Sequence, residues 1–262
     1  MIRKSFYIIF LTAVIVLGSC TGHQKLLKST DNDAKYDAAM DFYEDNDYYK
    51  ALQLFQQLIN FYKGTEKAEK LQYYYAYCYY EQKDFLLASY YFKRFSQNFP
   101  RSVFAEEALF LSAYCYYLDS PKSTLDQSNS IQAINELQLF IDIFPDSERV
   151  EQASDLIDQL RMKLEKKDFD IANLYFKMGR YAAAIKSYEN ILKGNPSSPH
   201  KEDILFNVLQ SNYNYALKSI NRKQDERFQS AIDAYNEFKF QFPESEYMKA
   251  ANSIEASIQK KL

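Results

Sequence analysis

An interval of 37 residues constrains this chain more than any other feature. In the stretch QYYYAYCYYEQKDFLLASYYFKRFSQNFP, Gln72 to Pro100, Ala76 is followed by Tyr79, Ala88 by Phe92, and Pro100 closes the segment. Moved back by that interval, Ala39, Phe42, Ala51 and Phe55 fall into register; moved forward, Ala113 and Tyr116 do. The second half of that third copy is displaced by a polar insert, Asp119 to Ser130, and resumes as Ala133, Leu137, Phe140 and Pro145. A fourth copy runs through Ala172, Tyr175, Gly179, Tyr181, Ala184, Tyr188 and Pro196, and a fifth through Ser211, Ala231, Tyr235, Phe238 and Pro243. Each copy reads as a helix, a tight polar turn such as Gln82–Asp84, and a second helix. Small residues sit where two helices approach closely, and large rings fill the space beside them. A proline ends the second helix because it lacks an N–H and clashes with the preceding turn. The tyrosine run has β-propensity, but Ala76, Ala88, Glu81 and the lack of Gly or Pro from Thr65 to Phe99 favour helix.

A two-helix unit of this length cannot bury its apolar face alone, so copies must stack. The pattern resembles tetratricopeptide repeats. The expected fold is all-α: a right-handed helical-repeat solenoid of about five such units, with a long helix entering repeat four. That helix is read from Asp146 to Met178, which contains no Gly or Pro and sets Val150, Ala153, Leu156, Ile157, Leu160 and Leu164 on one face. The boundaries expected are repeats one to three over 34–145, and the long helix, repeats four and five and a capping helix over 146–262. Met248, Ala251, Ile254 and Ile258 mark the cap. The phrase Phe99-Pro100-Arg101-Ser102 returns as Phe144-Pro145-Asp146-Ser147 and Phe242-Pro243-Glu244-Ser245, each serine being placed to N-cap the next helix.

The first 20 residues are of another kind. Arg3 and Lys4 precede an apolar run from Phe6 to Leu17, too short to span a bilayer but suited to a signal-peptide core. The run ends in Leu17-Gly18-Ser19-Cys20, which looks like a bacterial lipoprotein box. Residues 1–19 are thus expected to be a signal peptide, Cys20 the lipidation site carrying palmitate, and 20–33 a lipidated cysteine and polar tether. Several acyl chains anchor a protein stably where one holds only marginally.

The remaining chain offers little chemistry. Its two histidines, His23 and His200, have no triad or metal-ligand spacing around them, and no phosphate loop or nucleotide fingerprint occurs. No enzyme activity, cofactor or metal site is expected. The formal net charge of −3 gives no basic face for nucleic acid. Cys78 and Cys115 occupy equivalent places in adjacent repeats. Packed helices lie about 8–10 Å apart, farther than the roughly 7 Å a disulfide tolerates between Cα atoms, so two buried free thiols are expected.

A lipobox followed by five such units, with no catalytic residues, resembles the BamD (YfiO/ComL-like) family of outer-membrane lipoproteins with tetratricopeptide-like repeats. The resemblance rests on Asn98-Phe99-Pro100-Arg101-Ser102, on Phe144-Pro145-Asp146-Ser147, and on Leu125-Asp126-Gln127 leading to Ala133, Phe140 and Pro145. It rests further on Leu160-Arg161 through Leu164, Ala172, Tyr175, Gly179, Tyr181 and Ala184, and departs at the inserted turn Ser219–Phe228. It implies a scaffold of the β-barrel assembly (BAM) complex, lipid-anchored on the periplasmic side of the outer membrane. The partners it implies are the POTRA region of BamA through the C-terminal repeats, unfolded outer-membrane β-barrel proteins through the N-terminal repeats, and other BAM lipoproteins. Two other readings use the same features: a periplasmic tetratricopeptide adaptor for envelope or division machinery, and a SusD-like glycan-binding lipoprotein. The second is disfavoured by the lack of tryptophan and by short inserts. On the first helices of the repeats, Tyr43, Tyr80 and Tyr117 form one ladder and Tyr36, Tyr73 and Phe110 another. These six are the candidate substrate-peptide groove, since a tyrosine ring stacks on apolar groups while its hydroxyl bonds peptide backbone.

Overall fold

In the computed structural model, residues 22–262 are described; the signal-peptide and Cys20 assignments lie outside them. A short helix, α1, covers residues 22–28. It is followed by the pairs α2 (Asn32–Glu44) and α3 (Tyr48–Leu58), α4 (Lys67–Glu81) and α5 (Phe85–Asn98), and α6 (Ala105–Leu118) and α7 (Ser128–Ile143). Then come α8 (Val150–Lys177), α9 (Tyr181–Gly194), α10 (Lys201–Leu217), a 3₁₀ turn at Asn221–Lys223, α11 (Gln224–Gln241) and α12 (Met248–Gln259). No strand occurs among the described residues. The tyrosine-rich stretch is helical throughout α4, so local aromatic propensity yields to the packing pattern.

Two compact units divide the described residues, one comprising 22–121 and 125–160, the other 122–124 and 161–262. The first therefore extends past the expected boundary at Asp146 and takes in the start of α8. The reason is packing: Ala153, Leu156, Ile157 and Leu160 are buried in the same core as Ala108, Ala133, Leu137 and Phe140. In the second unit, the rest of α8 pairs with α9 around Ala172, Ala184 and Tyr188, and α10 pairs with α11 around Leu209, Ala234 and Phe238. There α12 covers the last face through Ala251 and Ile258, both fully buried. The small residues that define the interval, Ala39, Ala51, Ala76, Ala88, Ala113, Ala133, Ala172, Ala184, Ser211 and Ala231, all have no exposed surface.

The turns inside repeats one, two and four share one geometry. Asn46, Lys83 and Gly179 adopt left-handed φ values of 61°, 61° and 70°. The next amide donates back across the helix end in each: Asp47 to the Phe42 carbonyl, Asp84 to that of Tyr79, Arg180 to that of Tyr175. This double backbone closure satisfies carbonyls the helix leaves open and favours a residue without a Cβ penalty. Asp47 and Asp84 then cap the following helices, accepting from the Lys50 and Leu87 amides.

The loop serines do something other than N-cap. Ser102, Ser147, Ser198 and Ser245 accept from the amides of Phe104, Arg149, His200 and Tyr247 two residues on, within the turn that precedes the helix. Three of them also donate to a glutamate of the preceding repeat, Ser102 to Glu69 at 2.5 Å, Ser147 to Glu106 at 2.6 Å and Ser198 to Glu165 at 2.5 Å. Ser102, Ser147 and Ser198 thus tie the start of one repeat to the first helix of the one before, with charge-assisted bonds about twice as strong as neutral ones.

The expected polar tether is also corrected. From residue 22 the chain is helical, and α1 packs Leu26 and Leu27 against the first repeat. His23 is buried, its Nε2 lies 2.9 Å from Gln53 Oε1, and its ring meets Phe42 edge-on at 5.4 Å. Two leucines and one ring at helical spacing suffice to dock seven otherwise polar residues.

Candidate functional site

The two aromatic ladders run across α2, α4 and α6, and the structure separates them. Tyr73 and Phe110 are core residues, 5% and 2% exposed. Tyr73 stacks on Phe104 at 4.4 Å and donates its hydroxyl to Glu107 at 2.6 Å. Phe110 packs against Phe140 at 5.4 Å and lies under the Arg149 guanidinium at 5.2 Å. Tyr36, the third member of that row, is partly buried beneath Tyr62 and Lys67. In each repeat the loop leading to the next repeat folds against this rung. Of the expected site, Tyr73 and Phe110 are thus core residues, while Tyr36, like Tyr43 and Tyr80, is only partly buried.

The other row stays partly open. Tyr43 lies against Tyr74 of the adjacent helix at 4.7 Å and against Tyr48 at 5.5 Å. Tyr80 meets Tyr77 at 6.0 Å and Phe85 at 5.9 Å. Tyr117 stacks on Tyr114 at 5.7 Å with planes 12° apart, and donates to Gln159 at 2.8 Å. Between the rows lies a third set at the same interval, Met40, Tyr77 and Tyr114, all partly buried. Sequence reasoning passed over it although the spacing announces it. Tyr43, Tyr74, Tyr77, Tyr80, Tyr114 and Tyr117, in contacting pairs, make a tyrosine stripe on three neighbouring helices.

The stripe's chemistry is that of neutral phenols. Burial raises the Tyr43 and Tyr80 phenols above their usual range and pushes Tyr77 up to about 12. At neutral pH these groups remain protonated donors. The Tyr77 hydroxyl is engaged by Glu107 at 3.1 Å. Those of Tyr43, Tyr80 and Tyr114 make no hydrogen bond among the described residues. Three unpaired donors on rigid apolar rings suit an extended peptide, whose backbone offers acceptors at regular spacing while its side chains need flat apolar surface.

In the second unit the corresponding rings are consumed internally. Phe169 stacks on His200 at 4.9 Å, Phe176 meets Tyr181 at 5.7 Å, Val208 is buried, and Tyr215 carries the Arg227 guanidinium at 3.7 Å. Cys78 and Cys115 are free and buried, with burial pushing both thiols up to about 12. Among the described residues no group of three or more His, Cys, Asp or Glu side chains is placed to hold a metal ion, and no helix is long and apolar enough to cross a membrane.

The sequence profile of the YfiO family, described as outer membrane lipoprotein, matches residues 28–228. No curated protein matches the chain at a significant level. Among solved structures it is similar to the TPR domain of P58(IPK), at 15% identity over 90% of this chain and 67% of that one, with a TM-score of 0.42. It is also similar to a putative kinesin light chain of Podosopora anserina with nearly identical TPR-like repeats, at 9% identity over 77% of this chain and 93% of that one, with a TM-score of 0.32.

Proposed function

This chain belongs to the YfiO family of outer membrane lipoproteins, and from that premise we propose that it is a non-catalytic scaffold of β-barrel assembly. In this reading Cys20 carries the lipid and holds the protein on the periplasmic side of the outer membrane. The first unit receives unfolded outer-membrane β-barrel proteins along the tyrosine stripe, and the second docks the POTRA region of BamA. The observation that carries the client half of the proposal is the stripe itself, with unpaired hydroxyls at Tyr43, Tyr80 and Tyr114 on adjacent helices. A client's terminal strand is extended before it pairs and often ends in an aromatic residue, which matches flat rings interspersed with donors. The second unit supports the docking half differently: the first-helix rings Phe169, Phe176 and Tyr215 are spent on internal contacts, while Leu174, Met178 and Ile220 are exposed.

The test is a titration of a terminal-strand peptide into the Tyr43→Ala/Tyr80→Ala double variant. Both rings are partly buried, so helicity and urea midpoint are measured beside it. Binding is expected to weaken by about 1–3 kcal/mol, the range of interface anchor residues. Tyr43→Phe/Tyr80→Phe, which keeps the packing, should lose the smaller part due to the hydroxyls. Unchanged affinity in both folded variants would make the stripe a packing feature.

A further inference from the structure

The buried alanines of the second helices have an outward counterpart. Two positions before Ala51, Ala88 and Ala133, on the first turns of α3, α5 and α7, stand Tyr49, Leu86 and Ile131. They are 65%, 60% and 51% exposed, where a solvated helix face carries polar groups. Tyr90, one turn on from Leu86, and Leu125, just before α7, are exposed as well. The second unit does not continue the row: Ala182 and Gln229 stand at the matching positions before Ala184 and Ala231. Exposed apolar side chains that recur with the repeat mark a contact surface.

The course of α1 indicates what covers it. Repeat one has a turn end, at residues 45–47, and a loop end beyond α3. The docked α1 starts at the turn end. There His23 meets Phe42, in the last turn of α2, and bonds Gln53, one turn beyond Tyr49. The chain then reaches the loop end, where Asp31 caps α2 and Tyr62 donates to Asp33 at 2.7 Å. Gly22 therefore lies at the end where α3, α5 and α7 begin. Cys20 is two residues before it, at most about 7 Å of chain. With the lipid anchor at Cys20 proposed above, on which this rests, the turn end is held within roughly a nanometre of the bilayer. A free tether over 20–33 would let the body stand roughly 45 Å away. The turns at this end carry Asp45, Asp47, Asp84 and Asp119 against Lys50 and Lys83, a balance that gains nothing from an anionic surface. Tyrosine and branched aliphatic side chains suit the boundary between headgroups and acyl chains. We propose that the first unit lies with its turn end on the bilayer, Tyr49, Leu86 and Ile131 being seated in the headgroup boundary of zwitterionic lipid. That orientation brings the last turns of α2, α4 and α6, which carry Tyr43, Tyr80 and Tyr117, to the same lipid surface.

The chain has no tryptophan, so Leu86→Trp supplies a single reporter in the acylated full chain reconstituted into phosphatidylcholine vesicles. Val103→Trp, at an exposed position in a loop at the opposite end, is the control. Bromines on the acyl chains should quench Leu86→Trp at least about twofold, since a side chain seated about 5–10 Å deep comes within their reach, and should spare Val103→Trp. Adding Tyr49→Ser/Ile131→Ser, both outside the core, should reduce the quenching of Leu86→Trp by about half or more. Phosphatidylglycerol in place of part of the lipid should not strengthen it. Intact mass and vesicle flotation are measured alongside. A chain without acyl mass would overturn the anchor and the lipid-facing orientation together. An acylated, floating chain would overturn the orientation alone if its Leu86→Trp were unquenched, quenched no more than Val103→Trp, indifferent to the two serines, or quenched more strongly on phosphatidylglycerol.

Discussion

Replacing Tyr73 distinguishes packing from recognition most sharply. The residue is 5% exposed, stacks on Phe104 at 4.4 Å, and touches Phe95 at 5.4 Å and Tyr77 at 4.9 Å. Tyr73→Ala removes the ring and opens a cavity among buried aromatics, a change that costs about 3–5 kcal/mol in well-packed cores. Tyr73→Phe keeps the ring and deletes only the hydroxyl bonded to Glu107. That carboxylate retains Tyr77 at 3.1 Å and Arg149 at 3.4 Å, so it is not left unpaired. The loss should then be about 1.5–3 kcal/mol, the worth of one charge-assisted bond. Urea unfolding followed by circular dichroism measures both, with the transition of the first unit fitted separately because two units need not melt as one. Both variants, wherever folded, should bind a terminal-strand peptide as the unaltered protein does. The reasoning fails if Tyr73→Ala costs less than about 0.5 kcal/mol, the level of a surface change, while peptide binding drops.

Lys83→Gly should stabilise the protein by about 0.5–1 kcal/mol, because a side chain at φ 61° pays a left-handed penalty that glycine avoids; a lower urea midpoint would contradict the turn geometry. Cys78 and Cys115 are buried as neutral thiols raised from a usual 9.0 to about 12, so folding favours their protonated form. Their contribution is whole below the unfolded thiol value and is lost as pH rises from there through about 12. Stability should therefore fall between about pH 8 and about pH 10 less steeply in Cys78→Ala/Cys115→Ala than in the unaltered chain, and parallel curves for the two proteins would refute the assignment.

The repeat was legible because its markers are steric. A fully buried alanine where helices cross admits no larger residue, and the same requirement recurs at Ala39, Ala76, Ala113 and Ala172. The aromatic ladders were legible in spacing but not in depth. Positions such as Tyr36 and Tyr43, or Tyr73 and Tyr80, are seven apart and share a helix face, so periodicity treats them alike. What separates them is the loop that folds over one end of each first helix, bringing Phe104 onto Tyr73 and Arg149 over Phe110. That contact joins residues more than 30 positions apart and has no local signature. The docked α1 was hidden for a related reason: seven residues are too few for a hydrophobic stripe to stand out, and His23 reads as polar until Gln53 and Phe42 enclose it. The loop serines were legible as turn residues, yet their bonds to Glu69, Glu106 and Glu165 depend on stacking that only the folded array provides.

The scaffold assignment is tested most directly by purifying the full chain from detergent-solubilised membranes of cells fed radiolabelled palmitate, then identifying what elutes with it. The account predicts a palmitate-labelled protein that carries a POTRA-bearing β-barrel protein with it in comparable amount. A folded protein that elutes unlabelled, or labelled but without that partner, would contradict it.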